Sequence, residues 1–116
     1  MVDRTHLYDS PDDFFSLMGS VSMRLSPKAA VAVCERAAPQ GLIVARIEGG
    51  IWLDPGFESR LDCIWDGADP PLSQSEAHAN NLKAAEFIQE QAVVHSAFIL
   101  TAPPISGWPH KAGGAA

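Results

Sequence analysis

The hydrophobic residues follow two kinds of spacing along the chain, one typical of helices and the other typical of strands. Near the N-terminus, Ser10-Pro11 and Ser26-Pro27 each precede a run that is rich in apolar residues. A serine hydroxyl caps the free N–H groups of a first helical turn, and proline fits the first helical position. The pattern therefore predicts two short helices, the first ending near residue 20 or 23 and the second ending before Pro39.

A third helix is predicted over about residues 75–91. Ser73 or Ser75 is expected to cap it. Ser73 and Glu76 have the spacing of a capping box, and alanines recur at helical spacing behind them. Asn81 falls inside this apolar stripe. Because a buried amide must find hydrogen-bond partners, we expect Asn81 to bind the backbone of a neighbouring loop.

Two further segments, 42–48 and 94–102, are short and rich in β-branched residues, so both are predicted to be strands. After the first of them, Gly49-Gly50 allows a bulge or a tight bend, and Ile51-Trp52-Leu53 continues the strand.

Residues 57–66 fit two periods. If the segment is a strand, it follows a turn at Asp54-Pro55-Gly56. Its core-facing side then carries four bulky or apolar side chains, those of Phe57, Leu61, Cys63 and Trp65. As a helix, it is capped by Asp54 and has an apolar stripe made of Phe57, Leu61, Ile64 and Trp65. The strand that directly precedes the short turn favours a hairpin.

Together these elements predict an α+β fold, with a small and mainly antiparallel sheet, helices packed on one face and the order α-α-β-β-α-β. A chain of 116 residues is expected to form a single domain over 1–116. Residues 110–116 lack large side chains apart from His110 and Lys111, so this C-terminal end is expected to be flexible.

Charge narrows the range of partners. The formal net charge is −6, and residues 42–72 hold six acids against two bases, a net −4. This argues against nucleic acid or an anionic membrane as the main partner, and it permits a basic protein, a cation or simple solubility. Cys34 and Cys63 do not form a disulfide framework, and neither a signal peptide nor a membrane span is evident, so a cytoplasmic location is expected.

Catalytic signatures are not evident in the sequence. It lacks a phosphate-binding glycine loop, a nucleophile elbow and a pair of histidines at zinc-binding spacing, so no catalytic residue, metal or cofactor is predicted. His78 is expected to face solvent. His95 begins a predicted strand and fits either a hydrogen-bonded polar residue or a catalytic one.

One acidic series stands out, because Asp54, Glu58, Asp62 and Asp66 recur at every fourth position. Since four is an even number, the last three are predicted to share one face whether the segment is a strand or a helix. Such a face can be a solvated surface, a recognition strip for a basic partner, or a cation or acid–base site, although calcium-loop spacing is absent. Trp52 would add a binding hot spot if it is exposed beside this face, whereas the three tryptophans are otherwise expected in the core.

The runs Glu48-Gly49-Gly50-Ile51-Trp52, Pro55-Gly56-Phe57-Glu58 and Asp62-Cys63-Ile64-Trp65-Asp66 resemble a pattern in small bacterial proteins of colicin-related or toxin-immunity type. The resemblance covers about residues 42–92 and brings no assigned functional residues. It implies a bacterial cytosolic protein that acts as an immunity partner. The acidity of 42–72 is compatible with this role, because such an inhibitor can mimic the anionic substrate of a basic nuclease toxin.

The leading hypothesis is a non-enzymatic acidic binding module, an immunity protein that inhibits a basic bacterial toxin or nuclease through Asp54, Glu58, Asp62, Asp66 and Trp52. A second hypothesis is a small enzyme or ligand-binding domain with carboxylates and a histidine in a cleft. A third is a structural, oligomer-forming protein. The sequence does not fix the oligomeric state.

Overall fold

The computed structural model describes residues 1–107, so the predictions for Trp108 and for residues 110–116 lie outside the described part of the chain. A 3-10 helix at Ala38–Gln40 lies between the second helix and the third strand. The other elements follow in the order β1 (Leu7–Tyr8), α1 (Pro11–Ser16), β2 (Arg24–Leu25), α2 (Pro27–Arg36), β3 (Arg46–Trp52), β4 (Phe57–Asp66), α3 (Gln74–Gln91) and β5 (Ala97–Thr101).

The strands form one five-stranded sheet in the order β1-β2-β5-β3-β4. Only β1 and β2 are parallel, and the other neighbouring strands pair antiparallel. The α+β class and the mainly antiparallel sheet are therefore confirmed. The sequence did not predict β1 and β2, because a strand of two residues is too short to show a period.

Residues from all three helices pack on the same face of the sheet. Phe14 of α1, Val33 of α2 and Ile88 of α3 belong to one buried cluster with Ile47 and Phe98 of the central strands. Serine caps open each helix, as predicted, because the hydroxyls of Ser10, Ser26 and Ser73 all accept backbone N–H groups. In residues 1–107, the chain has no helix with the length and apolarity needed to cross a membrane.

The first helix ends at Ser16, earlier than predicted. It ends there because Met18 adopts a left-handed conformation with a φ of 53°, and the N–H of Gly19 closes the helix end by donating to the carbonyl of Phe14 over 2.8 Å. The chain then runs toward the sheet, where the N–H of Val21 donates to the carbonyl of Leu100 over 2.8 Å.

Two asparagines on α3 hold the segment before β3. Asn81 is buried, and its Oδ1 accepts the N–H of Val44 over 2.8 Å while its Nδ2 donates to the carbonyl of Leu42 over 3.1 Å. Asn80 adds a bond from its Nδ2 to the carbonyl of Val44 over 2.9 Å. The prediction that Asn81 binds a loop backbone is confirmed. Side-chain amides thus bind residues that were predicted to start a strand, and β3 begins only at Arg46.

A large bulge interrupts the pairing of β3 with β4. Glu48 lies opposite Ile64, and Gly50 lies opposite Ser59, so two steps along β3 correspond to five steps along β4. Residues 60–63 therefore all lie opposite Gly49. Three extra residues are an odd number, and an odd shift moves side chains to the opposite face of a sheet. The hairpin is confirmed, but β4 does not keep one set of faces along its length.

Gly49 makes this bulge possible. A Cβ at this position would lie 2.3 Å from Sγ of Cys63 and 2.9 Å from Cε1 of Phe98, so the space beside the Gly49 backbone is already filled. Cys63 is buried there, and burial, with a smaller effect from the neighbouring Asp62, raises the pKa of its thiol. Cys34 is buried within the core as predicted.

The Asn81→Ala substitution is expected to destabilise the fold. It leaves the buried N–H of Val44 and the partly buried carbonyl of Leu42 without partners, and we expect a loss of roughly 2–3 kcal/mol in the free energy of unfolding. Urea unfolding at fixed pH measures it. Lys83→Ala, at an exposed position on the same helix, is the matched control and should change stability by less than about 0.5 kcal/mol. Equal stability of the two variants would contradict the role of Asn81.

The Gly49→Ala substitution is expected to cost about 2 kcal/mol or more, because the new methyl group overlaps Cys63 and Phe98. Because the new methyl group overlaps the sulfur of Cys63, substitutions at positions 49 and 63 should have non-additive effects on the free energy of unfolding. In a Cys63→Ala background, we expect Gly49→Ala to cost about 1 kcal/mol less than in the wild-type chain. Urea unfolding of the four proteins in this cycle gives the coupling energy, and strictly additive effects would refute the contact as the cause.

Candidate functional site

The bulge separates the acidic series that the sequence placed on one face. Glu58 pairs with Ile51, and Asp66 pairs with Arg46. β3 pairs regularly with β5 from 46 to 50 and with β4 from 50 to 52, so its side chains alternate between the two faces without interruption. Positions 46 and 51 therefore point to opposite faces of the sheet, and so do their partners Asp66 and Glu58. The prediction that Glu58, Asp62 and Asp66 share one face is therefore wrong.

The predicted core row of β4 is also only partly correct. Cys63 is buried and Trp65 packs against Phe87 of α3, with 6.5 Å between ring centroids. Phe57, however, lies on the opposite face, with the guanidinium carbon of Arg24 5.7 Å from its ring centroid. Leu61 lies at the bulge and is 90% exposed.

The bulge brings a compact group of exposed side chains to the free edge of the sheet. We call Glu58, Arg60, Leu61 and Asp62 the bulge surface. Arg60 Nη2 lies 2.9 Å from Glu58 Oε1, so this pair is tied along the strand. Asp62 remains 85% exposed at its side chain, and its Oδ1 lies 3.9 Å from Nε2 of His95 beneath it.

The other two acids flank this surface. Asp66 is on the far side of the bulge, where its Oδ1 lies 2.6 Å from Nη1 of Arg46. Asp54 is exposed in the turn between β3 and β4. Within residues 1–107, neither Asp54 nor Asp62 forms an ion pair with lysine or arginine. These two carboxylates therefore carry charge that a partner can use.

The tryptophans and histidines divide between core and surface. The backbone N–H of Trp52, at the end of β3, donates to Oγ of Ser96 over 2.8 Å, and the residue as a whole is half-buried. Its indole is therefore not fully exposed beside the acids, and it lies at the rim of the core. His78 is exposed, as predicted. His95 is buried, with its Nδ1 3.3 Å from the carbonyl oxygen of Gln91.

Two concave regions in the described part of the chain lie away from this surface. One cavity of about 350 Å³ opens beside α1 and is lined mainly by apolar atoms, including those of Phe14, Phe15 and Met18. A shallow groove runs between α2 and α3. Neither contains a histidine or an acid of the series. Among the described residues, no three His, Cys, Asp or Glu side chains are grouped so that they could hold a metal ion.

Two features of this site were not predicted from the sequence, namely the exposed position of Leu61 and the change of face between Glu58 and Asp66. The adjacent Gly49 and Gly50 did indicate a bulge. The extra residues, however, are on the partner strand, so the glycines mark the place where β4 protrudes.

Comparison with known proteins gives a consistent match. The family model described as Colicin-E5 Imm protein matches residues 23–102. The immunity protein CdiI of Burkholderia pseudomallei is 62% identical over 107 residues, which cover 92% of this chain and 98% of that protein. The colicin-E5 immunity protein of Escherichia coli is 41% identical over 80 residues, which cover 68% of this chain and 96% of that protein.

The matched range begins just before β2 and ends just after β5. It contains α2, α3 and the whole bulged hairpin, whereas β1 and α1 lie outside it. The resemblance to toxin-immunity proteins is thus confirmed over a longer part of the chain than the 42–92 that first suggested it. The chain belongs to the colicin-E5 immunity protein family.

Proposed function

We propose that this chain is an immunity protein that inhibits a basic bacterial toxin by binding it, and that the bulge surface with Asp54, Asp66 and Trp52 forms the contact. The observation that carries the proposal is the match to CdiI and the colicin-E5 immunity protein over nearly their whole lengths. Binding alone can inhibit, because a protein bound over a toxin's active site excludes the toxin's substrate.

Charge supports the choice of surface. Residues 42–72 carry a net −4 of the total −6, and most of that charge belongs to β4 and its flanking turns. A surface of one sign attracts a partner of the opposite sign before contact and raises the association rate. The exposed and weakly paired Asp54 and Asp62 contribute to this attraction more than Asp66, whose charge Arg46 offsets.

The position of β4 in the sheet also supports the choice of this surface. β4 is an edge strand in the described sheet, so the bulge surface projects from the molecule where another protein can approach. Trp52 lies in the same hairpin and gives the contact a partly buried aromatic side chain. We also propose that the chain acts in the cytoplasm of the cell that makes it, where an incoming toxin would meet its target.

The charge reversal Glu58→Lys with Asp62→Lys tests the proposed surface. The probe is the toxin against which the Burkholderia pseudomallei relative gives immunity, called the probe toxin below. We expect the association rate constant to fall at least about tenfold at low salt, because the steering field is weakened. A plot of that rate constant against ionic strength should also become flatter. Stopped-flow or biosensor kinetics measure both quantities.

The matched control is Glu35→Lys with Glu86→Lys, which changes net charge equally at two exposed positions on α2 and α3. The control should slow association by much less than the reversal on β4. Equal effects of the two double variants would mean that net charge matters and this surface does not. Failure of the wild-type chain to bind the probe toxin would contradict the proposed function itself.

A further inference from the structure

Leu61 is anomalous in a strand whose other exposed positions are all polar or charged. Its side chain is 90% exposed, and among the exposed large hydrophobic residues of 1–107 only Met1 is more so. It lies between Arg60 and Asp62 at the tip of the bulge. A leucine in water contributes almost nothing to the stability of the fold, since burial of apolar surface is what stabilises.

Residues on both sides of Leu61 make contacts that mark the two ends of the tip. Before it, Arg60 is paired with Glu58 on the same strand over 2.9 Å. After it, Cys63 is buried against the backbone of Gly49, and Asp62 lies beside His95. These contacts lie at the two ends of the bulge, and the side chain of Leu61 between them faces solvent, where a partner can reach it.

We propose, on the basis of the proposed function, that Leu61 is the apolar anchor of the toxin interface. Its side chain enters an apolar pocket on the toxin, and the carboxylates of Glu58 and Asp62 contact basic residues around that pocket. Interfaces commonly place such an anchor centrally, within a ring of polar contacts that excludes water. The chemistry of the partner is thereby specified as a basic surface with a pocket that accepts a leucine side chain.

The bulge also favours one of two ways in which a partner can bind an edge strand. A partner that adds a strand to β4 needs a regular row of free N–H and C=O groups. Residues 60–63 break that row, and the charges of Glu58, Arg60 and Asp62 along the edge oppose pairing with another strand. Insertion of a side chain therefore fits this edge better than addition of a strand.

Leu61→Ala tests the anchor with the full chain and the probe toxin. We expect the dissociation rate constant to rise at least about tenfold, because apolar contact in the pocket is lost. The association rate constant should stay within about twofold, since no charge changes. The faster dissociation should persist at about 0.5 M salt, because salt at that concentration screens much of the attraction between charges but leaves the apolar contact in place. Leu61→Met, which keeps the apolar side chain, should retain most of the affinity.

Val93→Ala is the matched control, because Val93 is 84% exposed just after α3. It should leave both rate constants unchanged. The urea midpoints of the Leu61 and Val93 variants should equal that of the wild-type chain, which excludes misfolding as the cause. If the wild-type chain binds the probe toxin but Leu61→Ala dissociates no faster, the anchor is refuted while the proposed function stands. If the wild-type chain does not bind, the proposed function fails first.

Discussion

The packing of Cys63 against the bare backbone of Gly49 is the contact on which the candidate site depends. A side chain at position 49 would overlap the sulfur, with 2.3 Å between the new Cβ and Sγ. With the sulfur in that space, four residues of β4 lie opposite a single residue of β3, and the strand protrudes. The exposure of Leu61, the position of Asp62 beside His95 and the separation of Glu58 from Asp66 all belong to this local geometry.

Local signals in the sequence predicted much of the fold. The caps at Ser10, Ser26 and Ser73 act within one helical turn, so they can be identified without knowledge of the tertiary structure. The buried amide of Asn81 was predictable for a related reason, since a polar residue in an apolar stripe needs partners. The ends of elements were less predictable, because contacts distant in sequence set them, such as the bonds from α3 to residues 42–44.

The candidate site shows the limit of such reasoning most clearly. Period-two spacing assumes that a strand keeps its register, whereas the register of β4 changes within the strand. The spacing of every fourth residue therefore led to the wrong prediction that Glu58 and Asp66 share one face. The acidic composition of the hairpin remained a sound guide, since it depends on residue identity. The two kinds of residue at the tip then have separate roles in our account: carboxylates speed the encounter, and Leu61 prolongs the complex.

Amide hydrogen exchange of the chain, free and bound to the probe toxin, tests the central claim most directly. Residues 60–62 lie outside the regular ladder between β3 and β4, so their amides should exchange quickly in the free protein. Our account predicts that the toxin slows exchange most in peptides covering 57–66, with little change in α1 and α2. Protection confined to the helix layer, with 57–66 unchanged, would contradict the assignment of the bulge surface as the toxin contact.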